Sequence, residues 1–406
     1  MKKRAVITGI GVISSIGTGK EQFLRGLKAC VSGVKSVPYF DTSNYRTHQG
    51  AIITGFNKDR YVMADGTIEK EPGNVLGLWA AKEAVLDAKL QMDTVDKKRV
   101  GVSIATSLGS IASKDQFNNA FLKSGYGTAD PLLMFETCST TAGVIAKEYG
   151  CQGCAISIST ACAAGTNSIG YALDLIRKGE CDVVIAGGSD PFSRLSLSGF
   201  DSLQSTTKKN IAPFDQNRDG IIIGEAAAIM VIEELDFAKA RNVPIYGEVL
   251  GYGISNDAYH TTSPDPKGGG AIRAITQALE DAGLAPEEID YINAHGTGTI
   301  LNDVMELGAI SQVFGDWARK IPISSTKSLY GHNLACAGSI EAVTCVLAIH
   351  DSFIPATINT KEIMEGYKDF NLVLGQIRKA EINTALSTSF AFAGNTAAAI
   401  ISKYKE

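Results

Sequence analysis

Residues 153–190 read GCAISISTACAAGTNSIGYALDLIRKGECDVVIAGGSD. The run 153–160 is apolar and β-rich. Residues 163–180 carry apolar positions at helical spacing behind a small-residue start, and 181–190 is β-rich again, closing on Gly-Gly-Ser-Asp. Strand, helix and strand in that order point to an α/β layered fold with largely buried sheets. Cys162 stands where the first strand hands over to the helix. Backbone N–H groups and the helix dipole at such a junction favour a thiolate, so the placement predicts a lowered thiol pKa. The small neighbours Ala161, Ala163, Ala164 and Gly165 leave room for a substrate; a small buried residue in a tight turn would read the same way.

The alternation runs outward in both directions. Residues 4–13 read as a buried strand and a glycine turn, 73–90 as a helix, and 99–107 and 227–235 as strands. The order then starts again. PIYGEVLGYGISND at 244–257 echoes the N-terminal KRAVITGIGVISSI, a helix follows at 270–284 and a strand at 289–295. Residues 333–352 repeat the small-residue helix start seen after Cys162, and INTALSTSFAF and AAAIISKY are the last strands. Two similar halves, 1–243 and 244–406, are the expected organisation. GIGVIS at 9–14 resembles a dinucleotide-binding turn, but the last fingerprint glycine and the acidic ribose ligand are missing, so a plain turn is the better reading.

The 406 residues are 45% hydrophobic, ample for a buried core, and the net charge is −5. No aromatic-interleaved basic stripe points to nucleic acid. Eight scattered cysteines make no disulfide framework and suit a reducing compartment. CQGC at 151–154 lacks the second ligand pair of a zinc site, so a turn is expected there and no metal. MKKRAVITGIGVISSIG resembles a signal peptide in charge and apolarity, yet its glycines and alternation point to a buried first strand. No apolar run reads as the roughly 18 residues of a membrane span. The expectation is a soluble cytoplasmic protein without a membrane partner.

Two of the five histidines have unusual settings. His295 ends an apolar strand and opens HGTGT, and His332 lies in STKSLYGHNLACAG, with Lys327 just upstream. A lone histidine is more often structural. Two at glycine-flanked strand ends, in a chain with a helix-capping cysteine, point to a Cys/His/His site. His48, His260 and His350 lack such settings and read as structural.

TACAAG (160–165), NAHGTGT (293–299), STKSLYGH (325–332) and SFAFAG (389–394) resemble the elongating β-ketoacyl-acyl carrier protein synthases, the KAS I/II group of condensing enzymes. FDTSNY (40–45), PFDQNRDG (213–220) and SNDAYHTTSP (255–264) fit the same family, so the resemblance covers nearly the whole chain. It implies a thiolase-like fold, two βαβαβαββ-like halves in a five-layered α-β-α-β-α core, and a dimer served by acyl carrier protein. It implies an acyltransferase that joins an acyl-Cys intermediate to a malonyl unit with loss of CO2. Phosphopantetheine would arrive on the carrier, so no cofactor is expected, although a structural cation sits near the position of Glu341 in some relatives.

By the same resemblance Cys162 is the acylated nucleophile, His295 and His332 line the malonyl site, and Lys327 holds the electrostatics and orientation of the second of these histidines, His332. Phe392 matches the gating phenylalanine whose N–H joins that of Cys162 in an oxyanion hole, and Phe390 its aromatic neighbour. Asp303, Glu306 and Glu341 match acidic positions that organise the site.

The sequence departs from the family pattern at the gate. Where GFGGTN is usual, residues 391–396 read Ala-Phe-Ala-Gly-Asn-Thr. Alanine tolerates positive φ poorly, so an altered gate is expected. Ile300 replaces a common proline, and Ala212 replaces a carrier-docking arginine, with Lys208 and Lys209 as electrostatic substitutes. The region 64–72, ADGTIEKEP, is also less basic than usual. LLMFETCSTTAG at 132–143 matches the dimer-side wall of the acyl pocket and carries bulky Met134 and Phe135. These departures favour a type II polyketide ketosynthase, aromatic or polyene, paired with itself or with a related chain-length-factor subunit. The housekeeping fatty-acid synthase is the alternative, and a non-catalytic chain-length factor is a third reading that the presence of Cys162, His295, His332 and Lys327 opposes.

Overall fold

The computed structural model describes residues 2–124 and 137–406; Met134 and Phe135 lie outside them. Ten strands define the frame: β1 (Ala5–Ser14), β2 (Val100–Ala105), β3 (Ala155–Ile158), β4 (Val183–Asp190), β5 (Ala226–Glu234), β6 (Gly247–Asn256), β7 (Tyr291–Asn293), β8 (Ile323–Ser324), β9 (Thr384–Phe390) and β10 (Asn395–Ser402). They run side by side in the order β8-β7-β9-β10-β6-β1-β5-β4-β2-β3. The seam is short, Ala5–Ile7 against Gly247–Val249. Outward from it each side repeats one pattern, two antiparallel neighbours and then two parallel ones. The buried runs are almost entirely Val, Ile, Ala and Gly, as strands covered on both faces require.

The Gly-x-Gly echo has a different role from the turn the sequence suggested. β1 runs straight through it, with a bulge between Ile7 and Gly9, and β6 carries the matching bulge between Val249 and Gly251. Helix α1 (Pro72–Asp87) lies on β1, and a Cβ at Gly9 or Gly11 would stand 2.2 or 1.8 Å from the carbonyl oxygens of Ala84 and Ala80. A second outer helix, Gly269–Ala282, lies on β6, where a Cβ at Gly251 or Gly253 would stand 2.4 or 2.0 Å from Ala278 and Ala274 oxygens. The glycines are helix seats, which also disposes of a nucleotide turn.

Two helices fill the middle: α2 (Ala164–Arg177), directly after Cys162, and a last long helix, Ala337–Asp351, after His332. Thirteen of the 15 residues in the latter are buried, so it is apolar all round because protein covers it all round. Contrary to the sequence expectation, Leu334–Asp351 is long and apolar enough to cross a membrane, but 89% of it is buried inside the protein. The two N-termini meet through glycines. A Cβ at Gly165 would lie 2.5 Å from the Ser339 nitrogen, and one at Gly338 2.2 Å from Thr166 Oγ1. That contact brings the turns bearing Cys162 and His332 to one place.

Candidate active site

Cys162 lies in a single 3₁₀ turn, Ala161–Ala163, at the entry to α2, behind Ala161 at φ +50°. A left-handed alanine is a strained position of the kind that clusters at functional sites. His295 follows β7, and Lys327 starts the short helix Lys327–Tyr330 that follows β8, β7's parallel neighbour. One ligand-capable atom each of Cys162, His295 and His332 lie within 4.8 Å of one another. The two imidazoles meet edge to face, centroids 5.4 Å apart.

The hydrogen bonds fix both tautomers. Lys327 Nζ, which can only donate, lies 3.1 Å from His295 Nδ1. The Leu334 N–H donates to His332 Nδ1 at 3.1 Å. Each ring therefore keeps its proton on Nε2. Burial, and then the Lys327 charge, hold both imidazoles well below the ordinary histidine range, so both are neutral donors. By donor type the Cys/His/His set also suits a metal ion, but the Lys327 ammonium beside it opposes a second cation. The sequence expectation that Lys327 sets the electrostatics and orientation of His332 holds for the charge, which lowers the His332 pKa, but not for the contact: adjacent strand ends put the Lys327 hydrogen bond on His295, and Glu341 takes its other side in a fully buried ion pair.

Residues 2–238 match the beta-ketoacyl synthase N-terminal domain and residues 246–361 the beta-ketoacyl synthase C-terminal domain. The chain belongs to the β-ketoacyl synthase family. This synthase is 37% identical to a 3-oxoacyl-[acyl-carrier-protein] synthase 2 of Coxiella burnetii over 99% of both chains. It is 37% identical to the protein of that name in Synechocystis over 100% of this chain and 99% of the relative. Among solved structures it overlays the ishigamide ketosynthase/chain length factor with a TM-score of 0.94 at 37% identity, covering 100% of both chains. A type II polyketide acyl-carrier protein in complex with its ketosynthase, AntDE:AntF, gives 0.92 at 30% identity, again over 100% of both. The protein is a ketosynthase, a condensing acyltransferase on a thiolase-like fold.

The acidic residues of the synthase divide by reach. Glu306 accepts from the N–H groups of His295 (2.8 Å) and Gly296 (2.7 Å) and from Thr388 Oγ1 (2.7 Å), and so holds the His295 backbone. Burial pushes it up to about 7. Burial likewise raises Glu341 to about 7, against the pull of Lys327. Asp303 sits one step out, accepting from the Phe214 and Gly298 N–H groups. Glu341 Oε2 and the Ser387 hydroxyl are buried without hydrogen-bond partners among the described residues, oxygen donors of the kind a structural cation takes.

Cys162 departs from expectation. Burial pushes its thiol up to about 12, well beyond what Lys327 takes back, and Asp190 adds to the rise. Desolvation of the thiolate outweighs the helix end. The thiol opens onto two cavities. One is lined by His295, His332, Thr297, Thr299 and Phe390. The other is walled by Leu108, Leu195, Leu203, Leu334 and Phe392. Phe200 and Phe392, rings 5.4 Å apart, line both. Phe390 packs edge to face on His295 at 5.9 Å. Lys208 and Lys209 are exposed and line neither cavity. Sequence reading missed Phe200 and Asp190; a buried Asp closing an apolar strand was the available signal for the second.

Proposed function

We propose that this synthase extends a growing chain in type II polyketide biosynthesis by decarboxylative Claisen condensation. In the first half-reaction Cys162 attacks an acyl thioester of a carrier protein, forming acyl-S-Cys162 and releasing the carrier thiol, which takes the proton. The N–H groups of Cys162 and Phe392 are the proposed oxyanion donors. In the second, a malonyl thioester loses CO2, and the charge that builds on its carbonyl oxygen is met by two Nε2–H donors. The enolate carbon attacks the acyl-Cys162 carbonyl, and Cys162 leaves as a thiolate that picks up a proton.

The observation that carries this reading is the pair of neutral imidazoles, each with Nδ1 occupied and Nε2–H without a partner among the described residues, within 4.8 Å of the Cys162 thiol. Two donors stabilise an enolate where a carboxylate base would repel it. The ishigamide and AntDE:AntF neighbours support the polyketide assignment. The leucine and phenylalanine walls of the second cavity favour a chain poor in keto groups, polyene rather than aromatic. The fatty-acid alternative rests on the 3-oxoacyl-[acyl-carrier-protein] synthase 2 relatives. Lys208 and Lys209 are the proposed contacts for an acidic carrier. The edge of β3, with one strand neighbour among the described residues, is where a second subunit, identical or a chain-length factor, would continue the sheet. The proposed synthase divides into two halves, 1–243 carrying Cys162 and 244–406 carrying His295, Lys327 and His332.

The test is intact-mass analysis after incubation with acyl carrier proteins of graded chain length and saturation. An adduct on Cys162 that forms best with unsaturated chains supports the polyene reading. A preference for saturated chains supports fatty-acid synthesis, and no adduct with any chain overturns the condensing assignment.

A further inference from the structure

Asp190 ends β4 and is fully buried. It accepts from Thr106 Oγ1 at 2.7 Å, from the Ser107 N–H at 3.1 Å on both oxygens, from the Leu108 N–H at 3.2 Å and from the Ala335 N–H at 2.8 Å. Three of these donors belong to the loop whose Ser107 and Leu108 wall the apolar cavity beside Cys162. The fourth belongs to the other half of the chain.

Ala335 is the second-half counterpart of Cys162. Each stands in a one-turn 3₁₀ helix that leads into a central helix, Ala161–Ala163 in one case and Leu334–Cys336 in the other. Each follows a residue of left-handed conformation, Ala161 at φ +50° and Leu334 at φ +53°. In the first turn that position carries the thiol and faces the cleft. In the second its N–H is occupied by a carboxylate.

We propose that Asp190 is a positioning residue for the condensation. Its carboxylate takes, on the mirror turn, the place an oxyanion would take at Cys162, and so locks the turn that sets His332. The link is short. Leu334 donates its N–H to His332 Nδ1, leaving Nε2–H for the enolate oxygen, and the Leu334 side chain is itself a wall of the acyl cavity. One anion thus holds a strained leucine, the tautomer of one donor and the Ser107–Leu108 wall together. The carboxylate is suited to this because it only accepts; an amide of the same shape must turn an NH2 toward at least one of the N–H groups. The inference rests on the condensation reading of the site.

Asp190→Asn in the full chain tests it, with malonyl-carrier decarboxylation, Cys162 acylation and histidine nitrogen NMR as readouts. Decarboxylation should fall roughly 10- to 100-fold, the loss a small misplacement of a donor causes. The KM for the acyl carrier should rise, and the His332 ring should lose its single Nε2–H signature. In a His332→Ala background the same change should cost nothing further in decarboxylation. Asp190→Ser carries the same expectations should the amide variant not fold. Decarboxylation at the parental rate, an unchanged His332 tautomer, or a loss that adds to that of His332→Ala would overturn the proposal. Failure of the parent protein to acylate Cys162 is the separate result that removes the condensation reading.

Discussion

Lys327 Nζ stands between His295 Nδ1, 3.1 Å away, and the carboxylate of Glu341, with neither charged partner exposed to water. One side chain therefore neutralises a buried anion and fixes the tautomer of His295. Lys327→Met should do two separable things. It strands Glu341 in the interior, at about 3–5 kcal/mol, and it frees His295 to move its proton to Nδ1. Denaturant midpoints should drop, and malonyl decarboxylation should fall roughly 100-fold. Adding Glu341→Leu should restore most of the stability and none of the rate. Recovery of both together would show that Lys327 acts through folding alone.

The histidines should separate the half-reactions. His295→Ala or His332→Ala removes one of two enolate donors, a change worth roughly 10²–10³ in rate, yet neither ring is needed to move a proton when Cys162 is acylated. Intact mass should still find the acyl adduct while CO2 release collapses. Normal condensation in either variant would sink the two-donor assignment.

A thiol held up to about 12 is a poor nucleophile in the resting cleft. The rate of Cys162 alkylation by iodoacetamide should keep climbing through the alkaline range, because thiolate, not thiol, reacts. A plateau near neutral pH would instead show that the helix end prevails over burial.

That thiol marks the limit of what the chain discloses. The strand-helix-strand around Cys162 was legible because apolar period and small-residue punctuation are local. The second half was legible because β6 repeats the Gly-x-Gly of β1, although the glycines serve helix approach and not a turn. Burial of Cys162 depends on atoms from both halves, which no window of sequence contains. The hydrogen-bond partner of Lys327 was misread for a related reason, although its charge does act on His332. Lys327 is close to His332 along the chain, but the parallel pairing of β7 with β8, Asn293 beside Ser324, sends it to His295. Asp190 was visible as an acid closing an apolar strand, but its contact with Ala335 crosses the pseudo-repeat and left no local trace.

Glu306 makes a pH prediction with a definite sign. Its ordinary value of 4.5 is raised to about 7, so between these the folded protein holds a proton that the unfolded chain has lost. The stability this group contributes is present below about 4.5 and is lost as pH rises through 7, at up to about 1.4 kcal/mol per pH unit. Asp190, raised to about 6, and Glu341, raised to about 7, act in the same direction. Glu306→Gln removes one of these titrations. Its urea midpoint, relative to the parent, should improve from about pH 5 to about pH 7.5. A difference that is flat or falling over that range would show Glu306 ionised throughout.

The two alanines that flank Phe392 should respond oppositely to glycine. Ala391 is extended, at φ −132°, a conformation any residue adopts, so the alanine there costs nothing. Ala393 is left-handed, at φ +59°, pinned by its N–H to the Thr261 oxygen (2.7 Å) and by the Asn256 amide on its own carbonyl (2.9 Å). Alanine pays a steric penalty there that glycine does not. Ala393→Gly should therefore stabilise the protein by roughly 0.5–1 kcal/mol, and Ala391→Gly should lose a similar amount through the added freedom of the unfolded chain. Chemical denaturation of the two variants beside the parent decides it. If both glycines destabilise, the left-handed alanine at 393 costs less than the unfolded-chain freedom that glycine adds, and the strain argument fails.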